Sequence, residues 1–258
     1  MLYIIAIAVL LVVLFVGLKP KKKASEIPLE KVVIPEHWHQ LLLDNILFYK
    51  KLTTDEQKLF STKMFHFLAT KNIEAVHFEL EELDRLLIAA SAVIPVFRFK
   101  NWNYANLTTV LIYPDDFDDD LQFDSKVDGR TIGGLVGTGR FENQMILSRK
   151  ALHHGFSNKT DKGNTAIHEF IHLLDKTDGV IDGIPAALLD KQYTIPYLQL
   201  VHKEMEAINN DASDIRNYGG TSQIEFLAVA GEYFFERPKL FKRKHPELYK
   251  MLDACFIK

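Results

Sequence analysis

His168, Glu169 and His172 fall in one pentapeptide, His168-Glu169-Phe170-Ile171-His172, an instance of H-E-x-x-H. Residues four apart on a helix lie on one face, one above the other. Both imidazoles can therefore turn one ring nitrogen toward a single Zn²⁺. Glu169 sits about 100° further round the same turn. There it can reach a water at the metal rather than the metal itself, and act as general base. The same spacing also occurs on ordinary solvated helices, but the neighbouring residues argue against that reading. Ile167, Ile171 and Leu174 form an i, i+4, i+7 apolar stripe, extended by Phe170 and Leu173, so this helix has a buried side. Asp175, seven residues after His168, shares the histidine face and suits a hydrogen bond to a ligand N–H.

A catalytic zinc usually takes three protein ligands and keeps one position open. The single cysteine, Cys255, offers no thiolate set and no intramolecular disulfide, and suits a reducing compartment. The third ligand must then be a histidine or a carboxylate. In the extended H-E-x-x-H-x-x-G-x-x-H pattern Asp178 occupies the last slot. Asp175 stands where that pattern has glycine, so an easy turn back to the metal is missing. The other option is a glutamate on a later helix. Glu225 and Glu232 are seven apart and share a face, with Ala228, Val229 and Gly231 between them to permit close helix packing. Glu225 has a competing use, because Ser222-Gln223-Ile224-Glu225 fits a capping box in which its carboxylate bonds the Ser222 N–H. The residues alone leave Glu225 and Asp178 both open.

These groups must be held by a scaffold, and the pattern predicts an α+β one: helices first, a small central sheet, then the metal helix and its partner. Helical stretches are expected over 36–51, from a Thr54–Gln57 capping box to about 69, and over 80–94. Short strands are expected at 73–77, 96–97 and 108–113, and a hairpin pair at 135–141 and 145–148 around Glu142-Asn143. A short helix or turn follows at 151–156. The metal helix should start at Gly163-Asn164 and end before Asp178-Gly179. Further helices are expected over 197–209, 222–236 with a stop at Pro238, and 246–256. The aspartate-rich loop 114–124 lacks EF-hand spacing and reads as solvated surface.

The chain has 258 residues and a formal net charge of −3, which gives no electrostatic push toward nucleic acid. Leu2 to Leu18 carries no charge and is just long enough to span a bilayer. A cleaved signal peptide would want a basic start and a small-x-small cleavage site, and neither is present. The expected organisation is a transmembrane signal anchor at 1–18, a linker at 19–35 and a catalytic domain at 36–258. Lys19, Lys21, Lys22 and Lys23 follow the apolar run, so by the positive-inside rule the domain should lie on the cytoplasmic face of an inner membrane.

HEFIHLLD, followed by Tyr218 and by Ile224-Glu225-Phe226-Leu227-Ala228-Val229-Ala230-Gly231-Glu232-Tyr233-Phe234-Phe235-Glu236-Arg237-Pro238, resembles the Mlc titration factor A family of zinc-dependent peptidases. Val110-Leu111-Ile112-Tyr113-Pro114 with Phe117 is similar to that family's central strand, and the resemblance runs from about 40 to 255. It implies a mostly helical zincin-like domain whose metal core is similar to the anthrax lethal factor catalytic domain. It implies one zinc on His168, His172 and Glu225, with Glu169 as base. It gives Tyr218 the role of hydrogen-bond donor to the oxyanion, from a glycine-flexible loop that swings in. Glu232 becomes a supporting carboxylate rather than a ligand.

The resemblance further implies aminopeptidase-like hydrolysis of a peptide or protein substrate. The alternative it implies is a protein-binding regulator that sequesters a transcriptional repressor, with weak or no peptidase activity. A purely structural zinc protein would leave the Glu169 position without a purpose.

Overall fold

Four short strands form one sheet in the order β1-β2-β4-β3, comprising Asn72–Ala75, Thr109–Tyr113, Gln144–Ser148 and Gly134–Val136 respectively. The computed structural model describes residues 33–118, 120–122, 131–157 and 160–257. Residues Val33–Lys258 make up one structural unit. The expected anchor at 1–18 and most of the expected linker lie outside the described residues. No described helix is long and apolar enough to cross a membrane.

Strands β1, β2 and β4 run parallel, and β3 lies antiparallel to β4 at the sheet edge. Val110 and Ile112 alternate with less buried neighbours on β2, while β4 is buried from Met145 to Ser148, as befits a strand flanked on both sides. The expected antiparallel pairing of the 135–141 and 145–148 segments is present, but β3 stops at Val136 and residues Gly139–Phe141 form a 3₁₀ turn instead. Residues 96–97 are not a strand. Ile94–Val96 is a 3₁₀ turn that prolongs the preceding helix, and Pro95, which has no N–H, ends the α-helical hydrogen-bond ladder there.

The helices surrounding the sheet are α1 (Glu36–Asn45), α2 (Leu47–Lys50), α3 (Thr54–Thr70), α4 (Glu82–Val93), α5 (Arg149–Ser157), α6 (Thr165–Asp175), α7 (Thr194–Asn209), α8 (Gln223–Glu236), α9 (Pro238–Lys244) and α10 (Pro246–Phe256). The capping box of α3 is Thr53 with Glu56, one residue earlier than the sequence suggested. Pro238 does stop α8, but it also opens α9 as a first-turn proline, a helix the sequence pattern did not reveal.

Between the sheet and the helices lies a continuous apolar core. Phe48, Phe60 and Phe97 pack ring on ring near α3. Phe67, Tyr104 and Phe170 form a second aromatic group that reaches α6. The core thus anchors the apolar side of the helix that bears the histidines.

Candidate metal centre

Helix α6 starts where the sequence places it because Asn164 caps it. The Asn164 side-chain oxygen accepts from the Ile167 N–H at 3.2 Å, its amide donates to Glu236 at 3.0 Å, and its backbone N–H donates to Glu232 at 2.5 Å. The apolar residues Ala166, Ile167, Phe170, Ile171, Leu173 and Leu174 are all buried. Helix α8 packs across it. At Gly231 an added Cβ would stand 2.4 Å from the Ile171 Cδ1, so the missing side chain permits the close approach.

That crossing brings Glu225 to the two histidines. His168 Nε2 lies 3.0 Å from Glu225 Oε2, His172 Nε2 lies 3.6 Å from the same oxygen, and the two Nε2 atoms are 3.0 Å apart. Among the described residues these three form a group that could hold a metal ion. Ligand atoms about 2.0–2.1 Å from a tetrahedral zinc stand about 3.3 Å apart, and the observed separations bracket that value. Half of the alternative capping box also exists, because Ser222 Oγ accepts from the Glu225 N–H at 3.2 Å. The Glu225 carboxylate, however, faces the imidazoles. Asp178 is exposed and accepts from the Val180 N–H at 3.1 Å, a turn within its own loop.

The chemistry of this donor set fits a cation. Glu232 Oε1 lies 2.7 Å from His168 Nδ1, which assigns the ring proton to Nδ1 and points the Nε2 lone pair at the other two donors. Two imidazole nitrogens and a carboxylate oxygen thus converge on one point. Burial opposes a charge on His168, yet Glu232, Glu225 and Glu169 outweigh it and push the imidazole up to about 10. Burial also works against the Glu225 carboxylate, but bonds from His168 and His172 hold it well below the usual range. The pocket is thus built to receive positive charge.

Glu169 is buried, and burial pushes its carboxyl up against the opposing pull of His168 and His172. It lies against the first residue of β3. A Cβ on Gly134 would stand 2.7 Å from the Glu169 Cγ and 2.8 Å from its Oε1. Sequence reasoning missed this glycine; its only signal was the Gly133-Gly134 pair at a strand start.

Tyr218 stands over the site, its ring centroid 6.0 Å from that of His168 and the planes 28° apart. The glycines beside Tyr218 have close neighbours. A Cβ on Gly220 would come within 2.3 Å of the Asn209 Oδ1, and Gly220 O accepts from Asn209 Nδ2 at 3.2 Å. Both glycines of this loop serve close packing: a Cβ on Gly219 would stand 3.3 Å from the Val229 Cβ.

Asp175 also departs from expectation. Its Oδ2 accepts from the Gly183 N–H at 2.8 Å, its buried Oδ1 has no partner, and burial pushes its carboxyl up to about 6. The carboxylate that bonds His168 is Glu232, which Arg216 also pairs. Nothing local in the sequence marked Arg216 for that role.

Comparison with known proteins places the chain among metallo-peptidases. The chain is 31% identical over 236 residues to a protein of Synechocystis sp. described as uncharacterized, covering 86% of this chain and 84% of that one. It is 28% identical over 222 residues to Mlc titration factor A of Escherichia fergusonii, covering 83% and 82%. It is 25% identical over 232 residues to Mlc titration factor A of Pectobacterium atrosepticum, covering 86% and 84%. The family model described as glucose-regulated metallo-peptidase M90 matches residues 19–257, and the chain belongs to that family.

Proposed function

We propose that the chain is a zinc-dependent peptidase, aminopeptidase-like in its preference, in which Glu169 activates the attacking water. The observation that carries this reading is the convergence of His168, His172 and Glu225 beside a buried Glu169. A zinc ion held by those three residues supplies a Lewis acid that polarises the scissile carbonyl and makes a water acidic. Glu169, fixed against Gly134, takes the proton of that water and returns it to the leaving amine. Tyr218 donates its phenolic O–H to the oxygen that gains charge in the transition state. Glu232 keeps the His168 proton on Nδ1 and so keeps Nε2 available. Strand β3 is a sheet edge whose first residue touches Glu169, so an extended peptide added along it would run past the base.

A second reading, a regulator that sequesters a transcriptional repressor, draws support from the name Mlc titration factor A carried by relatives. Membrane attachment through residues 2–18, with the domain on the cytoplasmic side, is part of the proposal and rests on the uncharged run and the lysines after it. Resistance of the full chain to carbonate extraction checks that part.

A peptide-library digest by the full chain, with metal content measured alongside, tests the main reading. Zinc-dependent cleavage that removes N-terminal residues is expected. A zinc-loaded protein that cleaves nothing yet captures a repressor would favour the regulator.

A further inference from the structure

Residues 210–222, between α7 and α8, carry Tyr218, and two side chains on either side of Ile215 fasten this loop. Arg216 pairs with Glu232, whose same oxygen accepts from His168 Nδ1. Asp214 is fastened more heavily. Its Oδ1 accepts from His245 Nε2 at 2.7 Å, and its Oδ2 accepts from Lys162 Nζ at 2.8 Å and from the Tyr233 hydroxyl at 2.9 Å. These partners come from the start of α10, the segment before α6, and α8.

His245 is the unusual member. It is buried, and its other ring nitrogen, Nδ1, lies 2.9 Å from Glu204 Oε2 on α7. An imidazole facing a carboxylate at each nitrogen satisfies both only as an imidazolium, with two N–H donors. A neutral ring would turn one lone pair toward a carboxylate. Glu204 and Asp214 are the charges that face His245 directly. Lys162 and the Tyr233 hydroxyl reach it through Asp214, Arg237 and Arg243 act on Tyr233 from the α8–α9 junction and from α9, and the Tyr233 and Phe241 rings lie 6.1 and 5.5 Å away. Burial works against the His245 charge, yet the two carboxylates outweigh it and raise the imidazole.

None of these groups touches the metal ligands. Asp214 is nevertheless only four residues from Tyr218, and Ile215, between them, is buried. We propose that His245 is a positioning residue: its imidazolium bridges Glu204 and Asp214, fixes the 210–222 loop, and so sets where Tyr218 stands over His168. The proposal rests on the oxyanion role given to Tyr218 above. It adds a link from the C-terminal helices to the site. The link holds while His245 is charged, and loosens as pH rises through its raised value.

The test uses the zinc-loaded full chain. His245→Gln keeps a hydrogen-bonding side chain but cannot bridge both carboxylates as a cation. Amide exchange over residues 213–221 should speed up about tenfold or more, a local opening within the folded protein. Zinc content should not change. On a peptide substrate kcat should fall about tenfold or more with KM nearly constant, because misplacement of a transition-state donor by even about 1 Å is costly. In a Tyr218→Phe background the same substitution should cost nothing further, since the two act as a unit.

Unchanged exchange would overturn the clamp. An equal loss of kcat in both backgrounds would show that His245 does not act through Tyr218, and would overturn the proposal too. If Tyr218→Phe alone leaves kcat untouched, the oxyanion reading is what fails, and the exchange rates then decide the clamp by themselves. Glu204→Gln carries the same measurements should His245→Gln not fold.

Discussion

On one side of α6, Phe170 is fully buried against Phe67 and Tyr104, with ring centroids 5.6 and 5.2 Å away. On the other side, His168, Glu169 and His172 are nearly as buried, yet face Glu225, Glu232 and one another. The apolar side is held by contact area, which is non-directional and accepts side chains of similar volume. The polar side is held by individual bonds to named atoms. Burying several carboxylates and imidazoles costs stability unless each is paired or compensated. One helix thus divides a region that supplies stability from a region that consumes it, and substitutions on the two sides should separate the effects.

The sharpest separation should come from the ligands. Glu225→Ala should lower zinc affinity by more than the roughly 10–100-fold typical of losing a group that only supports a ligand. Asp178→Ala should leave it unchanged. Dialysis against a chelator measures both, and the reverse order would move the third ligand to the loop after α6. On the apolar side Phe170→Ala should destabilise the domain by about 3–5 kcal/mol, read by denaturant unfolding of metal-loaded protein. If it instead left stability intact and abolished turnover, the division along α6 would be wrong. Gly134→Ala probes the boundary. Its Cβ would displace Glu169, so kcat should fall about tenfold or more while thermal stability and zinc content stay close to those of the parent. Equal loss of stability and activity would show that the glycine serves the sheet instead.

A smaller effect concerns Glu236, which bonds the helix cap Asn164 from the far side. Burial first, opposed by that bond, pushes its carboxyl up to about 7 from 4.5. Between those values the folded chain holds more protons than the unfolded chain, so stability falls as pH rises through that window. Glu236→Gln should flatten that slope by roughly 1–3 kcal/mol across it. An unchanged slope in unfolding measured over pH 4.5 to 7 would place the carboxyl in water.

The parts legible in the sequence were those set by local period and caps. The apolar stripe of α6 and the Ser222 cap of α8 fix two long helices, and the Glu225–Glu232 spacing fixes a shared face. Short apolar runs were ambiguous: residues 96–97 have strand-like side chains, but Pro95 and the preceding helix decide their conformation. The close packing of Gly220 is not legible locally, because its neighbours, Asn209 and Ile208, are close in space but belong to another helix. The same holds for the supporting carboxylate. Asp175 lies on the right face by spacing, yet the loop at Gly183 claims it, and Glu232 reaches His168 from α8. The bonds among Lys162, Glu204, Asp214 and His245 join distant segments, and no local pattern could announce them.

In the proposed function the buried polar side of α6 is a hydrolytic centre, with Glu169 moving the proton and His168, His172 and Glu225 holding the metal. Glu169→Gln tests it most directly, because it keeps the shape and removes only the base. Zinc content and stability of the full chain should match those of the parent, while peptide turnover falls about 10²–10⁴-fold. Parental turnover by the zinc-loaded variant would contradict the account.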